Sequence, residues 1–382
     1  MLEIKDKSKC CGCGACINVC TKGCIKMERD GEGFYYPSIN KEKCMECGLC
    51  EKVCPMIIKT KEANNLISYA AYSKDNDVLY KSSSGGLFTH LAQYILKDKG
   101  VVYGAAFNEK NQVQHIRVDG VQQLELIKKS KYVQSNIKEI FKSVRQDLID
   151  EKKVLFTGVG CQINGLVNYL NVLKVNCEKL FLIDIICHGV PSEKVWEKYL
   201  SELGVDREVS VDFRNKDNGW VNYNIKIGNY NKSHYQDAYM KTFLSDCNLR
   251  ESCYNCNSKG QNRYADITLG DFWGVNALDI TTKNNMGTSA IIVHTDKGNS
   301  LIDAIHDDVF LETVDYEDVI KGNPSYFSSS KRNKNRDKFF ENLDKYDLNR
   351  LSKKYCDVNF INKIKYKIKR ILKRFINKTK AR

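Results

Sequence analysis

Five cysteines crowd the eleven residues from Cys10 to Cys20, CCGCGACINVC. Neither core packing nor turn chemistry calls for that density, whereas thiolates at fixed spacing are what an iron-sulfur cube needs. Read from Cys10, gaps of two, two and three residues lead to Cys13, Cys16 and Cys20. This is the spacing of a bacterial ferredoxin loop, in which three thiolates wrap one cube and the fourth reaches across to a second. A register starting at Cys11 fails because Gly14 stands where the next ligand belongs, so Cys11 is the surplus thiol. The spacing recurs in CMECGLCEKVCP as Cys44, Cys47, Cys50 and Cys54, followed by Pro55. An internal repeat of this kind predicts crossed ligation. One cube takes Cys10, Cys13, Cys16 and Cys54, and the other takes Cys44, Cys47, Cys50 and Cys20. Structural zinc is the alternative, since Cys-x-x-Cys pairs suit a tetrahedral ion, but zinc needs no third and fourth cysteine at this spacing. Thr21 departs from the proline that usually follows the fourth ligand, and Cys11 and Cys24 read as packing thiols or neighbours of the ligands.

The 382 residues leave room for two or three domains and a substantial core, and 42% hydrophobic residues with only 4 prolines point to a globular chain. The opening MLEIKDKSKCC has no apolar run of the signal-peptide kind, and no later segment is apolar for long enough to span a bilayer. Most of the 17 cysteines fall in cluster spacing, which needs reduced thiols and a reducing, anaerobic cytoplasm. The net charge of +13 is mostly a property of residues 361–382, whose ten Lys and Arg and no acid leave only +3 for the rest. No RNA- or DNA-binding motif accompanies it, so nucleic acid is not an expected partner.

Elements must hold these cysteines in place. KTKEANN at 59–65 reads as a linker. LISYAAYS is strand-like, KSSSGG a loop, and Leu87, Leu91, Tyr94 and Ile95 fall at helical spacing. GVVYGAAF predicts a strand, residues 136–150 a helix, KVLFTG a strand, the stretch through Leu166 and Leu170 a helix, and LFLIDIIC a buried strand. Such alternation implies an α/β domain with helices packed on a sheet. Residues 331–382 are charged and helical in pattern, without Gly or Pro.

Ligands of α/β sheets collect at the C-terminal ends of strands, and three strand-to-turn junctions qualify. Ser82-Ser83-Ser84-Gly85-Gly86 precedes a helix and could accept a pyrophosphate on free N–H groups, although Gly/Ser turns are common without one. Thr157 to Gln162 places Cys161 at a helix start, where the dipole favours a thiolate. CHGVPS puts Cys187 and His188 directly after a buried strand, as reactive groups or as packed ones. Further on, Cys247, Cys253 and Cys256 form a loose triplet. Cys161 or Cys187 could complete a third cluster with them, the alternative being partly buried cysteines without metal. Arg214, Lys216 and Trp220 could bind an anionic cofactor or stack on a ring, or could lie in a solvated loop.

The combination resembles the beta-subunit family of the coenzyme F420 hydrogenases and dehydrogenases, in the form with an N-terminal two-cluster ferredoxin. The residues that carry the resemblance are SSSGGLFT (82–89), SKYVQS (130–135), VLFTGVGCQINGL (154–166), LIDIICHGVPS (182–192), DFRNKDNGW (212–220), LRESCYNC and ADITLGDFWG (265–274). They stand in the family's order over roughly residues 4–320. The resemblance implies an FAD- and iron-sulfur-containing oxidoreductase, in which flavin exchanges a hydride with a deazaflavin or other partner and passes electrons singly to clusters. Carried over by position, Ser83, Ser84, Gly85 and Gly86, the stretch with Ser130, Lys131, Tyr132, Gln134 and Ser135, and the turn with Gly158, Gly160 and Gln162 would hold FAD. Cys247, Cys253 and Cys256 would be candidate ligands of a cluster beside it. Val159-Gly160 replaces the Thr-Pro that the family commonly has before Cys161. Some family members lie beside polysaccharide-synthesis enzymes, so the substrate does not carry over.

The expected fold is therefore an α+β ferredoxin-like two-cluster unit (1–60) followed by an α/β domain, with a helical basic C-terminal tail. The α/β domain divides into the N-terminal (66–150) and C-terminal (151–325) parts of a beta-subunit-like flavin domain, and the tail covers 326–382. The expected function is an oxidoreductase passing electrons between 4Fe-4S clusters, FAD and an organic substrate, with ferredoxin or a deazaflavin as redox partner. A non-catalytic electron-relay subunit of a larger complex is the rival reading. A hydride carries two electrons and a cube accepts one, so a group able to divide the pair must stand between them, and flavin can. In the tail, Ile361, Ile364, Ile368, Ile371, Leu372, Phe375 and Ile376 fall at helical spacing among Lys and Arg, the pattern of a helix drawn to an anionic membrane surface or an acidic partner. That would make the protein cytoplasmic, with a route to the inner face of the membrane. Replacing Cys13 and Cys47 together with alanine should remove most of the iron held by residues 1–60, whereas Cys11→Ala should leave it. Iron analysis after anaerobic purification measures this, and full retention in the double variant sinks the assignment.

Overall fold

The computed structural model describes residues 4–58, 66–205, 207–275 and 285–356. Within the first of these stretches the two Cys-Gly-x-Cys turns fold alike. Short helices Ala15–Val19 and Leu49–Lys52 each begin at a glycine in the left-handed region, Gly14 at φ 74° and Gly48 at φ 72°, which a side chain would strain. Between them, β1 (Ile25–Arg29) and β2 (Tyr35–Ile39) pair antiparallel, Ile25 opposite Ile39 and Arg29 opposite Tyr35. This is the ferredoxin-like unit.

The second part is built on an eight-stranded mixed sheet. Its strands are β3 (Ile67–Ser73), β4 (Val101–Phe107), β5 (Val113–Val118), β6 (Val154–Val159), β7 (Leu180–Ile185) and, after the small antiparallel sheet of β8 (Val211–Asn215), β9 (Asn224–Ile227) and β10 (Tyr230–Ser233), β11 (Ile267–Asp271), β12 (Ser289–Val293) and β13 (Val309–Thr313). The order is β13-β3-β12-β11-β7-β6-β4-β5. The centre, from β11 through β7 and β6 to β4, is parallel, and the flanking pairs are antiparallel. Central parallel strands are covered on both faces, which is why VLFTGV and LFLIDI carry apolar residues almost without a break.

Alternation along each strand assigns the faces. Val102, Leu155 and Ile183 share one core with Leu87, Leu91 and Ile95 of the helix Leu87–Lys97. Tyr103, Phe156 and Leu182 share the opposite core with Ile163, Leu166 and Leu170 of the helix Gly160–Val172. The ferredoxin-like unit joins this second core, because Cys13, Ala15, Val19 and Val53 are buried in it. A linker alone does not hold the two parts together. The strands and helices expected from LISYAAYS, GVVYGAAF, KVLFTG and LFLIDIIC are all present, and the helix expected over 136–150 spans Ile140–Ile149.

The charged C-terminal region differs from its expected boundary at 326. Helices Arg336–Glu341 and Leu348–Tyr355 belong to the folded body, with Phe339, Leu343, Leu348 and Leu351 buried against Trp196, Tyr199 and Phe243. Their charges sit on the outer face, so composition hides an apolar stripe at helical spacing. The basic segment 361–382 and its expected membrane or partner contact lie outside the described residues. Among the described residues, no helix is long and apolar enough to cross a membrane. Phe339→Ala should cost about 3–5 kcal/mol, the usual loss for emptying a buried aromatic site, read as a lowered denaturant midpoint. A change below about 1 kcal/mol would mean that this region is peripheral to the core.

Candidate functional site

The first eight cysteines fall into two groups by which thiols face each other. Burial pushes the Cys16 thiol up, and Cys10, Cys54 and Cys50 push it further. Burial raises Cys54 to about 11, with Cys11 and Cys10 adding to it. Cys13 faces Cys11 and Cys16 in turn. Cys10, Cys13, Cys16 and the distant Cys54 are thereby gathered in one place. Cys20, Cys44, Cys47 and Cys50 line a separate cleft. Cys24 lines it as well, its Sγ 3.3 Å from that of Cys20.

The first group is pressed against the α/β domain. A Cβ on Gly165 would lie 2.9 Å from Cys13 Sγ, so only glycine lets the helix Gly160–Val172 approach this closely. Asn18 Nδ2 donates to Lys138 O at 2.8 Å and Asn168 Nδ2 to Val53 O at 3.5 Å, tying both short helices to the second part.

A third set of thiols lines a cleft at the C-terminal edge of the sheet: Cys11, Cys161, Cys187, Cys253 and Cys256. Strand register brings them there. Val159 of β6 pairs with Ile185 of β7, and Ile185 with Leu269 of β11, so these strands end level. Cys161 then falls in the first turn of the helix Gly160–Val172, and Cys187 two residues beyond β7. Cys253 lies in the turn Glu251–Asn255 and Cys256 just after it. Burial lifts Cys253 to about 12, with Cys187 and Cys256 contributing, and Val190 N–H donates to its Sγ at 3.4 Å. Cys11 stands between the first and third sets. Hydrogen bonds from Cys13 and Cys161 hold its thiol well below the usual range.

One cysteine leaves the part expected of it. Cys247 drops out of the candidate ligand triplet: it is fully buried in the aromatic core, beside Cys356, and donates to Tyr355 O at 3.4 Å. The helix Leu348–Tyr355, expected in a tail, is what covers it. Cys11, surplus to the first set, stands as a neighbour of the third, where its partner Cys161 is far away in sequence.

Among the described residues, no group of three or more His, Cys, Asp or Glu side chains stands close enough to hold a metal ion. Zinc needs four ligands at about 2.0–2.3 Å from one centre, whereas a cube is a larger body held at its corners.

The residues expected at a flavin divide into two groups. Ser130 N–H donates to Ser83 Oγ at 2.9 Å, joining two of the motif stretches. Beside them Lys216 Nζ donates to Leu79 O at 2.6 Å and Ser84 O at 2.7 Å, and burial lowers its pKa to about 7. Lys131, lowered to about 7 by burial and by Lys129, donates to Leu126 O. Arg214 Nη1 reaches Tyr132 Oη at 3.4 Å and Asp271 Oδ2 at 2.9 Å, while its Nε and Nη2 are buried with no hydrogen-bond partner among the described residues. Trp220 Nε1 donates to Asp271 Oδ1 at 3.1 Å, and its ring stacks on Trp273 at 4.8 Å. Arg214, Lys216 and Trp220 are all buried, so the solvated-loop alternative fails.

The other group frames the fold. Gln134 turns to the ferredoxin-like unit, donating to Cys11 O at 3.2 Å. Gln162 accepts from Val159 N–H and donates to Ser135 O, both at 3.2 Å. Gly158 lies beside Phe156 and His115, and Gly160 beside Asp184 and Ser258. Gly85 does not offer the free N–H that a pyrophosphate would need, because that group already donates to Ser289 Oγ at 2.9 Å. A Cβ there would meet Ala71 O at 2.4 Å, so strand packing is what requires this glycine. Gly86 (φ 88°) begins the helix Leu87–Lys97.

Residues 151–319 match the family described as the C-terminal part of the coenzyme F420 hydrogenase/dehydrogenase beta subunit, and residues 9–58 match the 4Fe-4S dicluster domain. Among solved structures, a chain of the F420-reducing NiFe hydrogenase complex from Methanosarcina barkeri, in its xenon derivative, is 20% identical with a TM-score of 0.47. The likeness covers 78% of this chain and 92% of that one. No curated protein matches. Neither family description names a flavin or polysaccharide synthesis.

Gly165→Leu should force the Cys13 turn away and lower bound iron by about one cube, roughly four irons. Gly31→Ala, where an added Cβ meets nothing within 4 Å, should leave iron unchanged. Equal iron in both variants would separate the Cys13 turn from metal binding.

Proposed function

With residues 151–319 in the F420 hydrogenase/dehydrogenase beta-subunit family and residues 9–58 a 4Fe-4S dicluster domain, we propose that this iron-sulfur redox protein is a flavin-dependent oxidoreductase with three cubes. The observation that carries the reading is the succession of thiol groups from the ferredoxin-like unit to the C-terminal edge of the sheet, with Cys11 between the first and third. When bound, the cubes would supply one-electron transfer and the flavin would divide a hydride pair. Cys20, Cys44, Cys47 and Cys50 would hold the outermost cube, Cys10, Cys13, Cys16 and Cys54 the middle one, and Cys161, Cys187, Cys253 and Cys256 the third.

Flavin would be held where Ser83, Ser130, Lys131 and Tyr132 meet Lys216, Arg214 and the Trp220–Trp273 pair. A buried guanidinium with two nitrogens unpartnered among the described residues is costly unless an acceptor reaches it, and the phosphates or ring carbonyls of a flavin are acceptors of that kind. Asp271, bonded to Arg214 and to Trp220, orients both. Gly158, Gly160 and Gln162 would act from the frame, by fixing the start of the helix that presents Cys161. Electrons would come from a ferredoxin or a reduced deazaflavin. A pure relay within a larger complex is the second reading, and the description of the family as a beta subunit favours it.

Anaerobic purification with iron and flavin analysis, then a screen of reductants, tests the proposal. About twelve irons and one noncovalent flavin are expected, at roughly four irons per cube. Cys161→Ala should drop the count to about eight, and Arg214→Met should abolish flavin binding without lowering iron. Eight irons in the unmodified protein would remove the third cube, and no flavin after incubation with excess FAD would remove the flavin.

A further inference from the structure

Arg250 is fully buried, and no carboxylate of a described residue is within ion-pair distance of it. The other deeply buried arginines differ in this respect: Arg336 pairs with Glu32 and Glu251, Arg263 with Asp184, and Arg214 with Asp271. Arg250 spends its donors on the cysteine turn. Nε reaches Cys10 O at 2.7 Å, Nη2 reaches Cys10 Sγ at 3.4 Å and Tyr35 O at 2.9 Å, and Nη1 reaches Gln134 Oε1 at 3.2 Å. Its plane lies 4.2 Å from the Tyr36 ring. Space is reserved for it as well, since Gly12 (φ +69°) would direct a Cβ to 2.9 Å from Nη1.

An isolated charge is kept in a protein interior only when opposite charge meets it. Among the described residues that charge can come from sulfur, since burial raises the pKa of Tyr36, the other acidic group acting on Arg250, and keeps it neutral. Cys10, Cys11 and Cys253 are the thiols that act on Arg250, so it faces both the first and the third sets. The outer set has nothing equivalent. Cys47 is exposed, and the charged residues lining its cleft, Lys22 and Glu46, are exposed too.

We propose that Arg250 is the buried counter-charge of the cube held by Cys10, Cys13, Cys16 and Cys54, and that it raises the reduction potential of that cube enough for electrons to cross the interior. The inference rests on the reading that these four cysteines hold a cube. Net charge, hydrogen bonds to sulfur and solvent exposure set cluster potentials. Reduction adds one electron and one negative charge beside Arg250, with no bond made or broken. Burial opposes that added charge, and a fixed cation 3.4 Å from a ligand sulfur offsets the opposition. Arg250 is a positioning residue in this scheme, acting through Cys10.

The test is an EPR-monitored redox titration of the anaerobically purified full chain with dithionite as reductant, together with iron analysis. In Arg250→Gln, the ratio of reduced to oxidised middle cube at a fixed potential should fall at least tenfold, about 59 mV for one electron, with the outer cube unmoved. Arg250→Lys, which keeps the charge, should recover most of this shift. Gln134→Glu keeps Arg250 but places a carboxylate against Nη1, and should move the potential in the same direction as Arg250→Gln. It decides the matter if the Arg250 variants lose iron. An unmoved potential in an iron-replete Arg250→Gln, equal shifts in the Gln and Lys variants, or no shift in Gln134→Glu overturns the inference. Absence of the middle cube from the unmodified protein overturns instead the reading on which it rests.

Discussion

The close approach of the Cys10–Cys16 turn to the helix Gly160–Val172 is the contact on which the arrangement depends. It brings Cys13 against the backbone of Gly165, buries Ala15 and Val19 in the core under β4 and β6, and leaves Cys11 within hydrogen-bond reach of Cys161. Were the two parts joined only through residues 59–65, the thiol sets would have no fixed separation. Packed as they are, the first and third sets share Cys11 and Arg250 as common neighbours.

The sheet makes its own contribution through register. Three neighbouring parallel strands ending level put Cys161, Cys187 and Asp271 along one edge, the place where ligands of such sheets gather. The edge holds two chemically distinct zones. Cysteines, with His188, Lys259 and Arg263 beside them, surround one, and Arg214, Lys216 and two stacked indoles surround the other. Asp184 separates these from the core beneath. It is fully buried and pairs with Arg263 at 2.7 Å, and burial raises its pKa despite that partner. Such a pair fixes geometry more than it adds stability.

What the sequence disclosed was local. The duplicated cysteine spacing, the strands of β6 and β7 and the helix start at Cys161 each depend on neighbours within a dozen residues, and periodicity reports such things well. What it concealed were partners distant along the chain. Cys247 and Cys253 stand six residues apart in one motif, yet a helix a hundred residues later takes Cys247 into its own core. Cys11 looked idle because Cys161 lies 150 residues on. Arg214, Lys216 and Trp220 gave no sign of burial, since their cover comes from the β11 edge and the Ser82–Gly86 loop. The Ser82–Gly86 loop reads as a pyrophosphate site, but what approaches Gly85 is the backbone of this chain's own strand β3.

The same distances bear on how the molecule is made. Arg250 meets Cys10 across 240 residues and Arg336 meets Glu32 across 304. The ferredoxin-like unit leaves the ribosome well before the arginines that close over its inner face. Contacts of such sequence separation close slowly, and domains otherwise tend to fold in order of emergence. Until residue 250 has been made, therefore, the N-terminal unit carries a cysteine turn still open to whatever delivers iron and sulfide.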